Sequence, residues 1–225
     1  MISLRTLLPT LALAGLATAT GACTFEPDAG GGGGLAERLR KRAHLEVSTA
    51  SGVAVSATAR GGQQLDVAPA VLGGEAVLRT TADGWLLVEE LDLPLDDVTV
   101  PAGVLSPSRP VTFTDLSIRL GTQLAVRPLA PLDPADISLA GWGDADLLLD
   151  WSMVSWDGQD VFPLAMRRIA DAPFAVALEL DADGVLRASI TAHVDGVVDN
   201  LGELVVLRDL SVDVLGATAS PAVVR

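Results

Sequence analysis

Tyrosine is missing from this chain, aromatic residues make up only 4% of it, and it holds one cysteine, one lysine and two histidines. Each shortage removes a class of function. A single cysteine cannot form a disulfide within the chain, and with two scattered histidines it cannot complete a zinc tetrahedron. Nucleophilic catalysis needs a base beside the attacking Ser or Cys. Of the two histidines, His44 belongs to a short basic segment, and His193 lies on the polar side of an alternating run, where it reads as a surface residue. No Gly-x-Ser-x-Gly elbow occurs, and the glycines at 30–34 lack both the Lys-Ser/Thr and the preceding strand of a phosphate loop. The chain is therefore expected to be no enzyme and to carry no cofactor. Few aromatic faces argue against carbohydrate or antibody-like recognition, and they leave the core to Val, Leu and Ala.

Basic residues are also few. The formal net charge is −14, and removing a leader whose only charged residue is Arg5 would make it more acidic still. Such a surface repels phosphate backbones, so nucleic acid is not an expected partner. Close acidic pairs occur at Asp144/Asp146, Asp157/Asp160 and Asp181/Asp183, which offer hard oxygens to calcium. None carries the full calcium-loop pattern, and Asp is the ordinary residue of a hairpin turn, so no metal site is expected.

The N-terminus carries an address. After Arg5, residues 6–19 are apolar or small, too short a run to span a bilayer and the right length for a secretory signal peptide. The run ends in Thr20-Gly21-Ala22-Cys23. This resembles the lipobox of bacterial lipoproteins, in which a small residue precedes a cysteine that receives a diacylglycerol thioether and becomes the new N-terminus. The resemblance covers residues 1–23, and Thr20 stands where the family usually carries Leu. It implies lipidation of Cys23 and a membrane partner reached through the N-terminal lipid. Thr24 is not the aspartate of inner-membrane retention, so the outer membrane is the expected address. A cut after Ala17-Thr18-Ala19 is the alternative and would release a soluble periplasmic or secreted protein.

The expected organisation is a signal peptide at 1–22, an anchor cysteine with Gly-rich tether at 23–34, a basic linker segment at 35–44 and one β domain at 45–225. Gly-rich chain behaves as a random coil that holds a domain off a surface. In the linker, Arg38, Arg40, Lys41 and Arg42 suit either anionic headgroups or plain solvent, and a solvated linker helix or a frayed start of the domain is the simpler reading.

Beyond residue 44, apolar and polar residues alternate, which marks half-buried strands. Leu186, Ala188, Ile190, Ala192 and Val194 form the cleanest apolar face. Ala145, Leu147, Leu149, Trp151 and Met153 repeat it, with Asp144, Asp146, Asp150 and Ser152 assigned to water. Runs at 53–59, 116–120, 174–180 and 210–214 do likewise, and Ser51-Gly52, Gly61-Gly62, Asp83-Gly84, Asp157-Gly158 and Asp183-Gly184 punctuate them. The fold class is all-β, an antiparallel sandwich, with a barrel as the alternative. Ala82-Asp83-Gly84-Trp85-Leu86 is echoed by Ala182-Asp183-Gly184-Val185-Leu186, and Asp115-Leu116-Ser117-Ile118 by Asp209-Leu210-Ser211-Val212. Either the chain has two related halves or its hairpins reuse the same turn chemistry.

Of the clustered tryptophans, Trp151 is assigned to the core, Trp142 to a Gly141-Trp142-Gly143 bend and Trp156 to a strand end. The expected function is a non-enzymatic envelope lipoprotein whose β domain binds an envelope protein or serves structurally. The alternative is a carrier of a lipid or other apolar ligand.

Overall fold

The structure is a computed structural model, and it describes residues 34–59, 61–131, 133, 135–155, 160–196, 199–201 and 205–219. The signal, Cys23, Trp156 and the Asp157-Gly158 turn lie outside those residues.

One short helix, α1 (Leu35–Arg38), precedes an all-β unit. The strands are β1 (Ala43–Val47), β2 (Gly52–Ala59), β3 (Gln64–Val67), β4 (Glu75–Thr80), β5 (Leu86–Pro94), β6 (Val98–Val100) and β7 (Val111–Leu120). They continue as β8 (Leu124–Pro128), β9 (Ser138–Ser155), β10 (Asp160–Leu180), β11 (Leu186–Val194), β12 (Asp199–Leu201) and β13 (Val205–Ala217). All pairings are antiparallel and all belong to one sheet.

Several neighbouring strands are pieces of one arm. Both β1 and β2 pair with β13, so the Ser51-Gly52 turn kinks an arm without reversing it. Ser51 is buried there, and its Oγ accepts the Leu215 N–H at 2.9 Å. Likewise β3 and β4 pair with β2 and β1, and β7 and β8 both pair with β5 and β9. The arms run up and down in chain order, each against the next, and the last returns to the first through Glu46↔Ala217 and Val47↔Gly216.

The sequence echoes fall on equivalent places. Thr80 pairs with Leu86 as Leu180 pairs with Leu186. Gly84 and Gly184 supply the positive φ of the two turns, +81° and +74°, which glycine adopts without strain. The short strand β6 pairs with the start of β7 as β12 pairs with the start of β13, the two strands that carry the Asp-Leu-Ser echo.

Inward positions are aliphatic. Leu45, Leu78, Leu86, Leu93, Ile118, Leu147, Ile190 and Leu210 are fully buried in one core. Outward positions at mid-strand are polar, among them Asp92, Arg119, Asp144, Glu179, Arg187, His193 and Asp213. A membrane-spanning barrel has the opposite polarity, with an apolar outer band around a polar interior. Among the described residues no helix is long and apolar enough to cross a membrane.

Three expectations are corrected. The segment 35–44 is not merely a solvated linker: Leu35 and Leu39, spaced one turn apart, are fully buried in the core. The Leu35 N–H donates to the Asp136 carbonyl, and the Leu39 carbonyl accepts from Thr80 N–H, both at 2.8 Å, which ties α1 to the sheet end. Asp146 and Asp150 point outward as alternation requires, yet they are buried beneath arginines. Gly141-Trp142-Gly143 is not a bend but lies within β9, near its start. Its glycines lie where β8 crosses, and a Cβ on Gly143 would strike the Ala125 carbonyl.

Candidate functional site

One end of the sheet is closed by its own chain. Hairpin 81–85, hairpin 181–185, residues 129–131 and 135–137 and α1 gather there, joined by the Leu35–Asp136 and Leu39–Thr80 bonds and by Leu180 N–H donating to Ile137. The opposite end holds an apolar cleft of about 80 Å³. One wall comprises Val55 and Ala57 of β2 with Leu65 and Val67 of β3. Facing them are Phe113 and Leu116 of β7 with Leu149 and Trp151 of β9. Among the described residues the lining is apolar throughout. Alternation brings the β2, β3 and β9 residues to this lining, whereas on β7 the register irregularity between Thr114 and Ser117, with Asp115 at φ +52°, lets both Phe113 and Leu116 contribute although they are three residues apart. Trp151 is 9% exposed and joins the core as the sequence suggested. The cleft itself had no sequence signal, because its walls come from strands far apart in the chain.

Of the acidic residues singled out in the sequence as calcium donors, Asp146 and Asp181 are held by arginine and by backbone N–H groups, whereas Asp157 and the Asp160 side chain lie outside the described residues. Asp150 is also held by arginine. Arg168 Nε donates to Asp146 Oδ2 at 2.7 Å, and Arg119 Nε donates to Asp150 Oδ2 at 2.8 Å. Asp181 accepts the Val185 N–H at 2.9 Å and the Asp183 N–H at 3.0 Å, and Arg187 adds two further bonds. The Val185 N–H, seconded by Arg187, holds the Asp181 carboxyl below its ordinary value of 3.8. Glu89 sits under Arg79 and Arg42, and the Arg79 hydrogen bond holds it below its ordinary 4.5. A carboxylate engaged in this way is neutralised already and offers little to a cation. Among the described residues no three His, Cys, Asp or Glu side chains gather as metal ligands.

His193 projects into solvent and meets Asp195 at 2.5 Å, with both side chains largely exposed. Ser211 faces it across the β11–β13 pair. His44 lies on β1 opposite Val77 of β4.

Trp142 occupies the outer wall, 49% exposed, with Arg127 opposite it in the β8–β9 register. The Arg127 guanidinium lies over two rings, 5.5 Å from the Trp142 centroid and 5.6 Å from that of Trp85. Residue spacing carries no sign of this stack, which joins Trp85 of the 81–85 hairpin, Arg127 of β8 and Trp142 near the start of β9.

No family model matches the chain, and no curated protein matches it. Among solved structures it is similar to Ail, the attachment invasion locus protein of Yersinia pestis, crystallised in complex with the heparin analogue sucrose octasulfate. The identity is 10% and the TM-score 0.46, over 79% of this chain and 96% of that one.

Proposed function

We propose that this chain is an exported, non-enzymatic lipoprotein of the bacterial outer membrane, anchored through Cys23. In this reading the sheet is a closed barrel of two related halves, and its cleft receives an apolar group. Support for the anchor comes from Thr20-Gly21-Ala22-Cys23 after an apolar leader. Closure draws support from the return of pairing from β13 to β1 and β2, and the two halves from the matched hairpin registers. The observation that carries the binding role is the wholly apolar lining of the cleft.

Volume decides what the cleft takes. Pockets that enclose a small-molecule ligand hold about 300–1,000 Å³. At about 80 Å³ this one accepts the end of an acyl chain or one aliphatic side chain of an envelope protein, not a whole lipid. Presentation of an anchored binding surface therefore fits better than lipid carriage.

Titrating Cys23→Ala protein with fatty acids of increasing length tests the reading. Each newly buried methylene contributes about 0.8 kcal/mol, so affinity should rise about fourfold per carbon and then level once the cleft is full. Ala57→Trp, which fills the cleft, should abolish the rise. Affinity independent of chain length, or unchanged in Ala57→Trp, would refute it.

A further inference from the structure

We propose that the end of the sheet closed by α1 rests on the bilayer, with Trp85, Leu129, Ile137 and Trp142 entering the headgroup region and the apolar cleft held at the far end. The inference rests on the lipid anchor at Cys23.

Four large apolar side chains are exposed in this neighbourhood, while Leu72, bonded to the end of β5, Met166 on β10 and Leu215 on β13 are exposed outside it. Leu129 is 73% exposed, Ile137 58%, Trp142 49% and Trp85 37%. They are neighbours in the fold: Leu129 N–H donates to the Ala140 carbonyl, Ile137 accepts from Leu180, and Arg127 bridges the two indoles. Exposed apolar clusters with a polar rim mark contact surfaces, and tryptophan favours the membrane interface, where an apolar ring and a polar N–H are both accommodated.

Two observations select a bilayer as the occupant. The chain enters the domain at this end, since Leu35 is only about a dozen residues past Cys23 and is bonded to Asp136. An anchor placed there makes any docking of this end effectively intramolecular, so weak contacts suffice. Charge is the second. In a chain of net charge −14, the bases Arg38, Arg40, Lys41 and Arg42 are exposed beside this end and Arg127 lies within the patch, although Arg42 also pairs with Glu89. Glu37, Asp83, Asp133, Asp136 and Asp183 share this end, so headgroup attraction is weak and the apolar residues make most of the contact.

The test uses the full chain and its Cys23→Ala variant with vesicles of phosphatidylethanolamine and phosphatidylglycerol carrying bromine high on their acyl chains. Bromine should quench the tryptophan emission of the anchored protein, and Trp85→Phe/Trp142→Phe should remove most of that loss. Cys23→Ala should still co-sediment weakly with the vesicles, and Leu129→Glu/Ile137→Glu should abolish this without changing the melting temperature. An anchored protein with no quenching would overturn the docking and leave the lipoprotein reading intact. A chain that takes up no fatty acid yet binds vesicles through Leu129 and Ile137 would overturn the anchor and support the docking. Self-association without lipid, abolished by Leu129→Glu/Ile137→Glu, would overturn it in favour of a second copy on this face.

Discussion

Removing Arg119 should damage the fold more than removing its partner Asp150, although both belong to one ion pair. The asymmetry comes from burial. The Asp150 side chain is 6% exposed and that of Arg119 45%. Without the guanidinium, the carboxylate keeps, among the described residues, the Ser117 hydroxyl at 3.4 Å as its side-chain partner. Breaking a buried pair so that one charge is left uncompensated costs about 3–5 kcal/mol. For a domain of this size each kcal/mol shifts melting by about 2–4 °C, so Arg119→Ala should lower Tm by roughly 10 °C. Asp150→Leu instead leaves a half-exposed guanidinium that water can hydrate, and the loss should resemble that of a surface pair, about 1 kcal/mol or less. Arg119→Ala/Asp150→Leu should recover most of the Arg119→Ala loss, because no buried charge remains. Urea unfolding of the four proteins on a Cys23→Ala background, followed by tryptophan emission, completes the cycle. Equal losses from Arg119→Ala and Asp150→Leu would refute the argument.

Leu39→Ala should lose about 2–5 kcal/mol, the range for emptying a buried leucine site, measured by urea unfolding; a loss under 0.5 kcal/mol would return residues 35–44 to a solvated linker. Acid should also act through named groups. Glu89 and Asp181 have folded-state values held below 4.5 and 3.8, so their contribution is complete above those values and is lost as pH falls through the lowered ones. Melting temperature followed downward from about pH 6 should therefore drop on the acid side, and Glu89→Gln/Asp181→Asn should shrink that drop.

Period-two patterning made the strands legible from sequence, because each strand has one wet and one dry face. The Asp-Gly turns at 83–84 and 183–184 were equally plain, since few other residues supply their backbone angles. The pairing of β13 back to β1 was not legible, because Glu46 meets Ala217 across nearly the whole domain and a sandwich would show the same alternation. The burial of Asp150 escaped for a different reason. Patterning assigns a face, not what covers it, and Arg119 reaches Asp150 diagonally from the neighbouring strand. The Leu35/Leu39 spacing did signal a stripe, but two residues are too short a pattern to separate a docked turn from a solvated helix. The cleft and the Trp85–Arg127–Trp142 stack depend on which arms become neighbours, and residue spacing carries no such information.

The most direct test of the central claim is intact mass and N-terminal peptide analysis of the protein purified from membranes of a cell that expresses it. The account predicts a chain that begins at Cys23 and carries the mass of a diacylglyceryl thioether. A chain that begins at Thr20 with an unmodified thiol at Cys23, recovered from the soluble fraction, would contradict it.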